Sequence, residues 1–278
     1  LYTRLPRLLG SLAAGAALAA AGVIIQRILD NPLASPHVIG VNAGAGFMVA
    51  LSHLMVPFSF WTAPIAAFLG AVIASMLVVE ISRRVGASRS TFILSGIALS
   101  SIFSAGTDTL LLLYPNALNS YTDFRIGGFG GLTLQKILPG ALLIFFALCS
   151  LFSLTMQMDI LALGEDTAQS LGLDIRRLRM LLLLLASLLA GASISFAGLL
   201  GFVGLIVPHM MRKWFGEESK ILLGSSILGG AALVSLCDLI ARALFRPYEL
   251  PVGIVMSLVG GPFFLWLIFH KRGGRSCG

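Results

Sequence analysis

The amino-acid sequence predicts an all-α, polytopic membrane protein with about nine transmembrane helices. Only 11% of the 278 residues are charged and 57% are hydrophobic, with a mean hydropathy of +0.96. Soluble domains carry about 25% charged residues, and a soluble fold this apolar would expose large hydrophobic patches. In addition, apolar stretches of about 20 residues, long enough to cross a bilayer as helices, recur along the chain.

The predicted spans follow from the positions of charges and helix breakers. They cover residues 8–26, two spans within 31–79, then 90–114, 137–154, two spans within 180–211, 221–244 and 252–270. The stretch 31–79 contains no Asp, Glu, Lys or Arg and is too long for one helix, so we divide it at a turn flanked by Pro57 and Pro64. The stretch 180–211 fits one steep helix or two short helices that meet near Gly198–Gly201.

Basic residues decide between these alternatives and give the orientation. Cytoplasmic loops of membrane proteins are enriched in Lys and Arg. With two spans in 180–211, 13 basic residues lie on one side and 6 on the other, whereas one span gives 9 and 10. We therefore expect nine spans, an outer N-terminus and a cytoplasmic C-terminus. The net charge of +7 then reflects topology, and no nucleic-acid partner is expected.

The polar segment ALGEDTAQSLGLDIRRLR, residues 162–179, interrupts the apolar pattern on the predicted cytoplasmic side. Glu165 and Asp166 come first, where a helix N-terminus favours acidic residues, and Gly172 is a typical helix stop. A second polar turn starts at Asp174. The pattern predicts a short helix, a tight turn and another short helix at the membrane surface. From the residues alone, a docking surface for a partner and a solvated loop both remain open.

Two acidic residues lie within apolar stretches, where an ionisable group is costly and is a functional candidate. Asp238 precedes Arg242 by four residues, the spacing of a helical ion pair. Asp108 has no such neighbour, and it either lines a pathway or faces interfacial water. The histidines and cysteines show no metal-ligand spacing, so no metal site is expected, and His209 is interpreted as a packed or interfacial histidine.

Motifs for ATP binding and catalysis are absent from the sequence. It contains no G-x-x-x-x-G-K-[ST] phosphate loop, which excludes that mode of ATP binding. Paired carboxylates, Ser/His/Asp sets and Cys/His sets are not evident either. We therefore expect a chain that is not an enzyme and holds no cofactor.

Seven sequence blocks point together to a known family. They are RLPR (4–7), GAALAAAGVIIQ (15–26), NPLASPHVIGVNAGAG (31–46), GGFGG (127–131), GEDTAQSLGLDIRRLR (164–179), GFVGLIVPHMMR (201–212) and ELPVGIVMSLVGGPFFLWLI (249–268). In this order they resemble the FecCD-type permeases, the membrane-spanning subunits of binding-protein-dependent ABC importers. The blocks cover nearly the whole chain. That family has ten spans, so the resemblance implies that the first span is missing here.

The resemblance implies a single transmembrane permease domain over residues 1–278, with a cytoplasmic coupling loop at about 159–179. It implies a homodimer in the cytoplasmic membrane of a prokaryote, with the transport pathway on the two-fold axis. Two cytosolic ATPase subunits would bind ATP and Mg and engage the coupling loop. An extracytoplasmic substrate-binding protein would deliver the cargo to the outer face.

The candidate functional residues fall into three groups. ATPase coupling is expected at Gly164, Glu165, Asp166, Ala168, Leu171 and Gly172, where the polar segment resembles the family's coupling helix. The resemblance assigns docking of the binding protein to Arg4, Arg7 and Arg242. Pathway or gate candidates are Asp108, from its place in an apolar stretch, and Gly127, Gly128, Gly130 and Gly131, from the resemblance.

Two other classes of protein were weighed against this interpretation. A secondary active transporter would need no ATPase, but it usually shows coupling charges near the midplane and broken helices in repeated halves. An intramembrane enzyme would need clustered reactive residues within its spans. Neither pattern is clear in this sequence. Permeases for iron–siderophores, haem and vitamin B12 share the matching blocks, so the expected cargo is a metal chelate of this class, with iron–siderophore first.

Overall fold

The computed structural model of the protein describes residues 4–55, 61–85, 89–115, 118–244 and 248–272. Within these ranges the chain forms twelve α-helices and one 3-10 helix, and it contains no β-strand. The α-helices are α1 (Arg4–Leu29), α2 (Val41–Met55), α3 (Thr62–Val85), α4 (Arg89–Leu113), α5 (Leu118–Ile126), α6 (Leu134–Ser153), α7 (Thr155–Ala162), α8 (Glu165–Ser170), α9 (Ile175–Ala197), α10 (Val203–Phe215), α11 (Ser219–Ala243) and α12 (Val252–Arg272). The predicted all-α class is confirmed.

Each of the nine predicted spans contains one of these helices. Six helices, namely α1, α3, α4, α6, α9 and α11, are long and apolar enough to cross a membrane. The other three are shorter: α2 and the apolar part of α12 have fewer than 18 residues, and α10 has 13 residues. The predicted polytopic membrane protein is therefore confirmed as six full-length helices accompanied by shorter apolar ones.

The second predicted span is shorter than expected. Residues 31–40 form turns and the 3-10 helix Pro36–Ile39, and this helix ends at Gly40 in the left-handed conformation with φ 77°. Helix α2 then has 15 residues, or ~22 Å, which is less than the ~30 Å core of a bilayer. The predicted break after the first span is thus confirmed. Pro57, at the predicted turn after α2, lies outside the described residues.

The stretch 180–211 is divided into two helices, as the distribution of basic residues predicted. Helix α9 ends before Gly198, whose φ of 71° and ψ of −162° are incompatible with a continuing helix. Phe202 is left-handed with φ 65°, and α10 starts directly after it. Helix α9 also starts earlier than predicted, at Ile175. The second short helix expected in the polar segment is therefore the first part of a long helix.

Helix α1 lies at the centre of the bundle, whereas α4 lies at its surface. In the most apolar part of α1, 78% of the residues are buried, compared with 11% in α4. Helix α1 packs against α9, α10 and α11. It approaches α11 so closely that a Cβ on Gly15 or on Gly230 would overlap the backbone of the other. Small residues permit this close packing of helices within a membrane.

Candidate functional site

The candidate functional residues lie at two opposite ends of the bundle, which α1 connects. Near the start of α1, Arg7 contacts Asp238 in the last part of α11. Near the end of α1, Arg27 contacts Asp159 in α7 and Ser219 at the start of α11. We call these regions the Arg7 end and the α8 end, since α8 follows directly after α7.

Helix α8 is a separate short helix with a defined stop. It follows Gly164, which has φ 107°, and it is terminated by Gly172, which has φ 82°. The backbone N–H of Gly172 donates to the carbonyl of Gln169 at 2.9 Å, and that of Leu173 donates to the carbonyl of Ala168 at 3.1 Å. These two bonds form a Schellman motif, which favours glycine at the left-handed position. The predicted helix and its stop at Gly172 therefore agree with the structure.

A salt bridge and one buried side chain attach α8 to the rest of the chain. Nη2 of Arg179, in the second turn of α9, lies 2.6 Å from Oε1 of Glu165. The Asp174 side chain accepts a hydrogen bond from the backbone N–H of Arg177 and so caps α9. Ala168 is fully buried at 0% exposure. Ala168, one of the residues expected to couple to the ATPase, is thus the inner contact of α8 and does not contribute to its exposed surface.

The exposed face of α8 consists of other residues. Glu165 and Asp166 are exposed, and Leu171 is 63% exposed just after the helix. Leu163, just before the helix, is 64% exposed. The exposed surface of α8 is therefore an acidic turn flanked by two leucines. Its role in coupling stays a prediction.

The Arg7 end is held by an ion cluster around one buried carboxylate, that of Asp238. Nε of Arg7 lies 3.0 and 3.1 Å from the two carboxylate oxygens of Asp238, and Nη1 lies 2.6 Å from Oε2 of Glu249. Nε of Arg242 lies 3.2 Å from Oδ2 of Asp238. The predicted Asp238–Arg242 pair is therefore confirmed. Asp238 is only 2% exposed, and a carboxylate this deeply buried requires charged partners.

The three predicted docking arginines differ in their surroundings. Arg4 is exposed in the first turn of α1, and the Arg242 side chain is 34% exposed. The Arg7 side chain is 13% exposed and is bonded to two carboxylates. The Arg7 guanidinium also lowers the pKa of Glu249, chiefly through their hydrogen bond. Arg7 thus positions its neighbours, while Arg4 and Arg242 remain accessible to a partner.

The GGFGG segment is fixed in its first half and open in its second half. The N–H of Gly128 donates to the carbonyl of Ala197 at the end of α9, and Gly253 at the start of α12 donates to the carbonyl of Gly127. Phe129 is 1% exposed. A Cβ would meet no atom within 4 Å at Gly130 or Gly131. The segment therefore joins α9 to α12, and its role as a gate stays a prediction.

The remaining candidates lie apart from these clusters. Asp108 is exposed on α4, toward the Arg7 end, and its role in the pathway stays a prediction. His209 on α10 packs against Phe263 on α12, with ring centroids 6.4 Å apart in a T-shaped arrangement, in agreement with a packed histidine. The contact that sequence reasoning missed is that of Arg7 with Asp238. The available signal was that Asp238 lies within an apolar stretch and Arg7 lies at the start of another, although Arg242 already offered a partner for Asp238.

Known proteins resemble this chain over nearly its whole length. The Fe(3+)-citrate import system permease protein YfmE of Bacillus subtilis is 36% identical over 274 residues, which cover 97% of this chain and 81% of that protein. The hemin transport system permease protein HmuU of Yersinia pestis is 36% identical, with 99% and 84% covered. A solved structure of a transporter assigned to the metal-chelate ABC type, in an inward-facing conformation, is 32% identical with a TM-score of 0.89, covering 96% of this chain and 87% of that one. The sequence model of the FecCD transport family matches residues 1–270, and the chain therefore belongs to that family.

Proposed function

We propose that the chain is the membrane-spanning subunit of an ABC importer that carries a metal chelate across the cytoplasmic membrane. The named relatives support an iron–citrate or haem cargo, because they are permeases of iron–citrate and hemin systems. An iron–siderophore cargo is supported by the sequence resemblance alone. The likeness to a metal-chelate type transporter supports the same class. The chain supplies the pathway and performs no hydrolysis. ATP and Mg are bound by a partner ATPase.

The observation that carries this proposal is the exposed helix α8 and its ionic attachment to α9. A partner protein that binds the exposed face with Asp166 and Leu171 contacts α8 directly. The Glu165–Arg179 salt bridge then links α8 to α9, which packs against α1 and α3 in the middle of the bundle. Closure of an ATPase dimer would thereby move whole helices as rigid bodies.

The sequence resemblance supports the other proposed partners. Two copies of the chain form the transporter, with the pathway between them. Arg4 and Arg242 at the Arg7 end receive acidic groups of a substrate-binding protein. Basic residues are concentrated near the α8 end, which supports a cytoplasmic location for that end and for the C-terminus.

The experiment that tests coupling is co-purification of the ATPase subunit with Leu171→Glu. The substitution places a charge on the exposed face of α8, so the ATPase is lost while the permease still inserts into the membrane. Leu244→Glu is the matched control, since Leu244 is 68% exposed but lies at the Arg7 end. The Leu244→Glu variant is expected to co-purify with the ATPase as the wild type does. Ala168→Arg is a poorer test because Ala168 is buried, and the change would disturb the packing of α8.

Equal recovery of the ATPase with Leu171→Glu and the wild type would remove the coupling assignment. Uptake that continues without any ATPase would instead indicate a secondary active transporter. Uptake of labelled chelate into proteoliposomes, with and without the ATPase, distinguishes these two outcomes.

A further inference from the structure

A cavity of 620 Å³ lies at the α8 end between α1, α10 and α12. Neither coupling through α8 nor docking at the Arg7 end uses it. Three cations line it, namely Arg27, Arg212 and Lys213. Aromatic rings of Trp214, Phe263 and Trp266 form much of the remaining wall. Cationic and aromatic groups together at the end of membrane-crossing helices suggest a ligand that is part anion and part hydrocarbon.

The guanidinium of Arg212 is oriented by a buried amide. Gln26 is 2% exposed, and its Nε2 donates to the carbonyl of Gly204 at 3.3 Å. Its Oε1 accepts a hydrogen bond from Nη1 of Arg212 at 3.0 Å. The half-buried Arg212 is thus held in place by a neutral group, and Glu217 is a carboxylate of the lining that acts on its charge without forming a salt bridge with it.

The three cations of the cavity differ in the hydrogen-bond and ionic partners that the chain provides for them. Nη2 of Arg27 lies 3.4 Å from Oδ1 of Asp159, and it also donates to the Glu217 carbonyl at 2.6 Å and to the Ser219 hydroxyl at 3.0 Å. In the described part of the chain, neither Arg212 nor Lys213 forms a salt bridge. These two residues are therefore the cations of the cavity that can receive an anion.

The net charge of the lining fits a single phosphate diester. Asp30 and Glu217 also line the cavity, so three basic side chains stand against two carboxylates. The formal charge of the lining is +1, which one phosphodiester neutralises. A second copy of this chain would bring a surface with the same positive charge. Because like charges repel, a second copy does not fit this cavity.

The aromatic residues around the cavity place it at the membrane interface. Trp214 is 64% exposed and Trp266 is 49% exposed, and Phe269 one turn further along α12 is 68% exposed. Tryptophan is enriched where helices meet the headgroup region of a bilayer, and basic pockets between helices on the cytoplasmic side bind anionic headgroups. We propose that this cavity binds the phosphate of an anionic phospholipid, with Arg212 and Lys213 as its cationic ligands and the aromatic rim against its acyl chains.

Native mass spectrometry of the purified protein tests the site, with dioleoyl phosphatidylglycerol and dioleoyl phosphatidylcholine as probes. Wild-type protein binds phosphatidylglycerol in preference to phosphatidylcholine, and millimolar inorganic phosphate does not displace it. Each basic residue near a membrane surface contributes ~1 kcal/mol, so Lys213→Gln weakens phosphatidylglycerol binding by about fivefold, and Arg212→Gln with Lys213→Gln by about 30-fold.

Lys220→Gln is the matched control, because Lys220 is exposed at the same end but does not line the cavity. The Lys220→Gln variant is expected to bind phosphatidylglycerol with the same affinity as the wild type. Lys213 is exposed and makes no hydrogen bond within the described residues, so the single variant folds even if the double variant does not. An equal affinity of wild type and Lys213→Gln for phosphatidylglycerol overturns the proposal. So does an equal loss with Lys220→Gln, or full displacement by inorganic phosphate, which would identify a site for the free anion.

Discussion

The ion cluster at the Arg7 end and the attachment of helix α8 differ in how deeply their charges are buried. At the Arg7 end, one buried carboxylate and two arginines connect α1 to α11, and Glu249 adds the loop before α12 to the same cluster. At the α8 end, Arg27 connects α1 to α7 and to the start of α11. The six-residue helix α8 itself is attached through the buried Ala168 and through one salt bridge whose carboxylate is about half exposed. Breaking a buried ion pair costs about 3–5 kcal/mol, whereas an exposed pair contributes about 0–1 kcal/mol. The ion cluster at the Arg7 end is therefore expected to contribute more to stability than the attachment of α8.

The largest expected effect is that of Asp238→Asn. The substitution removes the charge that Arg7 and Arg242 share within the bundle, so we expect a loss of roughly 3 kcal/mol in the free energy of unfolding. Glu165→Gln, which removes the salt bridge of α8, is the comparison, and a smaller loss is expected because the Glu165 carboxylate is about half exposed. Thermal unfolding of both variants in the same detergent measures the difference. Equal shifts in the melting temperature would contradict the contrast between the two ends.

A smaller effect is expected from Gly127→Ala within the GGFGG segment. Gly127 has φ 72°, and an added Cβ would lie 2.6 Å from the carbonyl oxygen of Leu199. The left-handed conformation alone costs an alanine about 1–2 kcal/mol. Gly130→Ala enters open space and is expected to change stability little. A Gly130→Ala variant that is as unstable as Gly127→Ala would show that the second half of the segment is packed as well.

The smallest expected effect is the loss of stability in acid that comes from the ion pair of Glu249 with Arg7. Hydrogen bonding to Arg7 lowers the pKa of Glu249, so this pair stabilises the fold above the ordinary carboxyl value of about 4.3. The contribution is lost as the pH falls below that value through the lowered pKa. Because the carboxylate is 58% exposed, the loss is at most about 1 kcal/mol. Unfolding measured between pH 6 and pH 3 should depend less on pH in Glu249→Gln than in the wild type, and an unchanged dependence would contradict this assignment.

Local patterns in the sequence predicted most of the helices and their breaks. Gly172 and Gly198 act within a few residues of themselves, and each stops a helix as its chemistry requires. The short length of α2 was not predicted, because the apolar residues 31–40 have the composition of a span but the backbone of turns.

Contacts between distant parts of the chain could not be predicted from these patterns. The helical spacing of Asp238 and Arg242 indicated a pair, but Arg7, which lies 231 residues before Asp238, has no local relation to it. Ala168 was assigned to ATPase coupling from the resemblance of the polar segment. It is buried because a small side chain lets α8 lie close against the rest of the chain. Such assignments depend on which face of a helix packs inward, and a six-residue helix is too short to show that periodicity.

The most direct test of the division between the two ends is a site-specific cross-link to the co-expressed ATPase subunit. Single cysteines at Leu171 and Leu244 are introduced into a variant without its native cysteines, and a short bifunctional reagent is applied in native membranes. We expect an adduct of permease and ATPase from Leu171→Cys and none from Leu244→Cys. An adduct formed only from Leu244→Cys, or none from Leu171→Cys while the ATPase still co-purifies with the permease, would contradict this expectation.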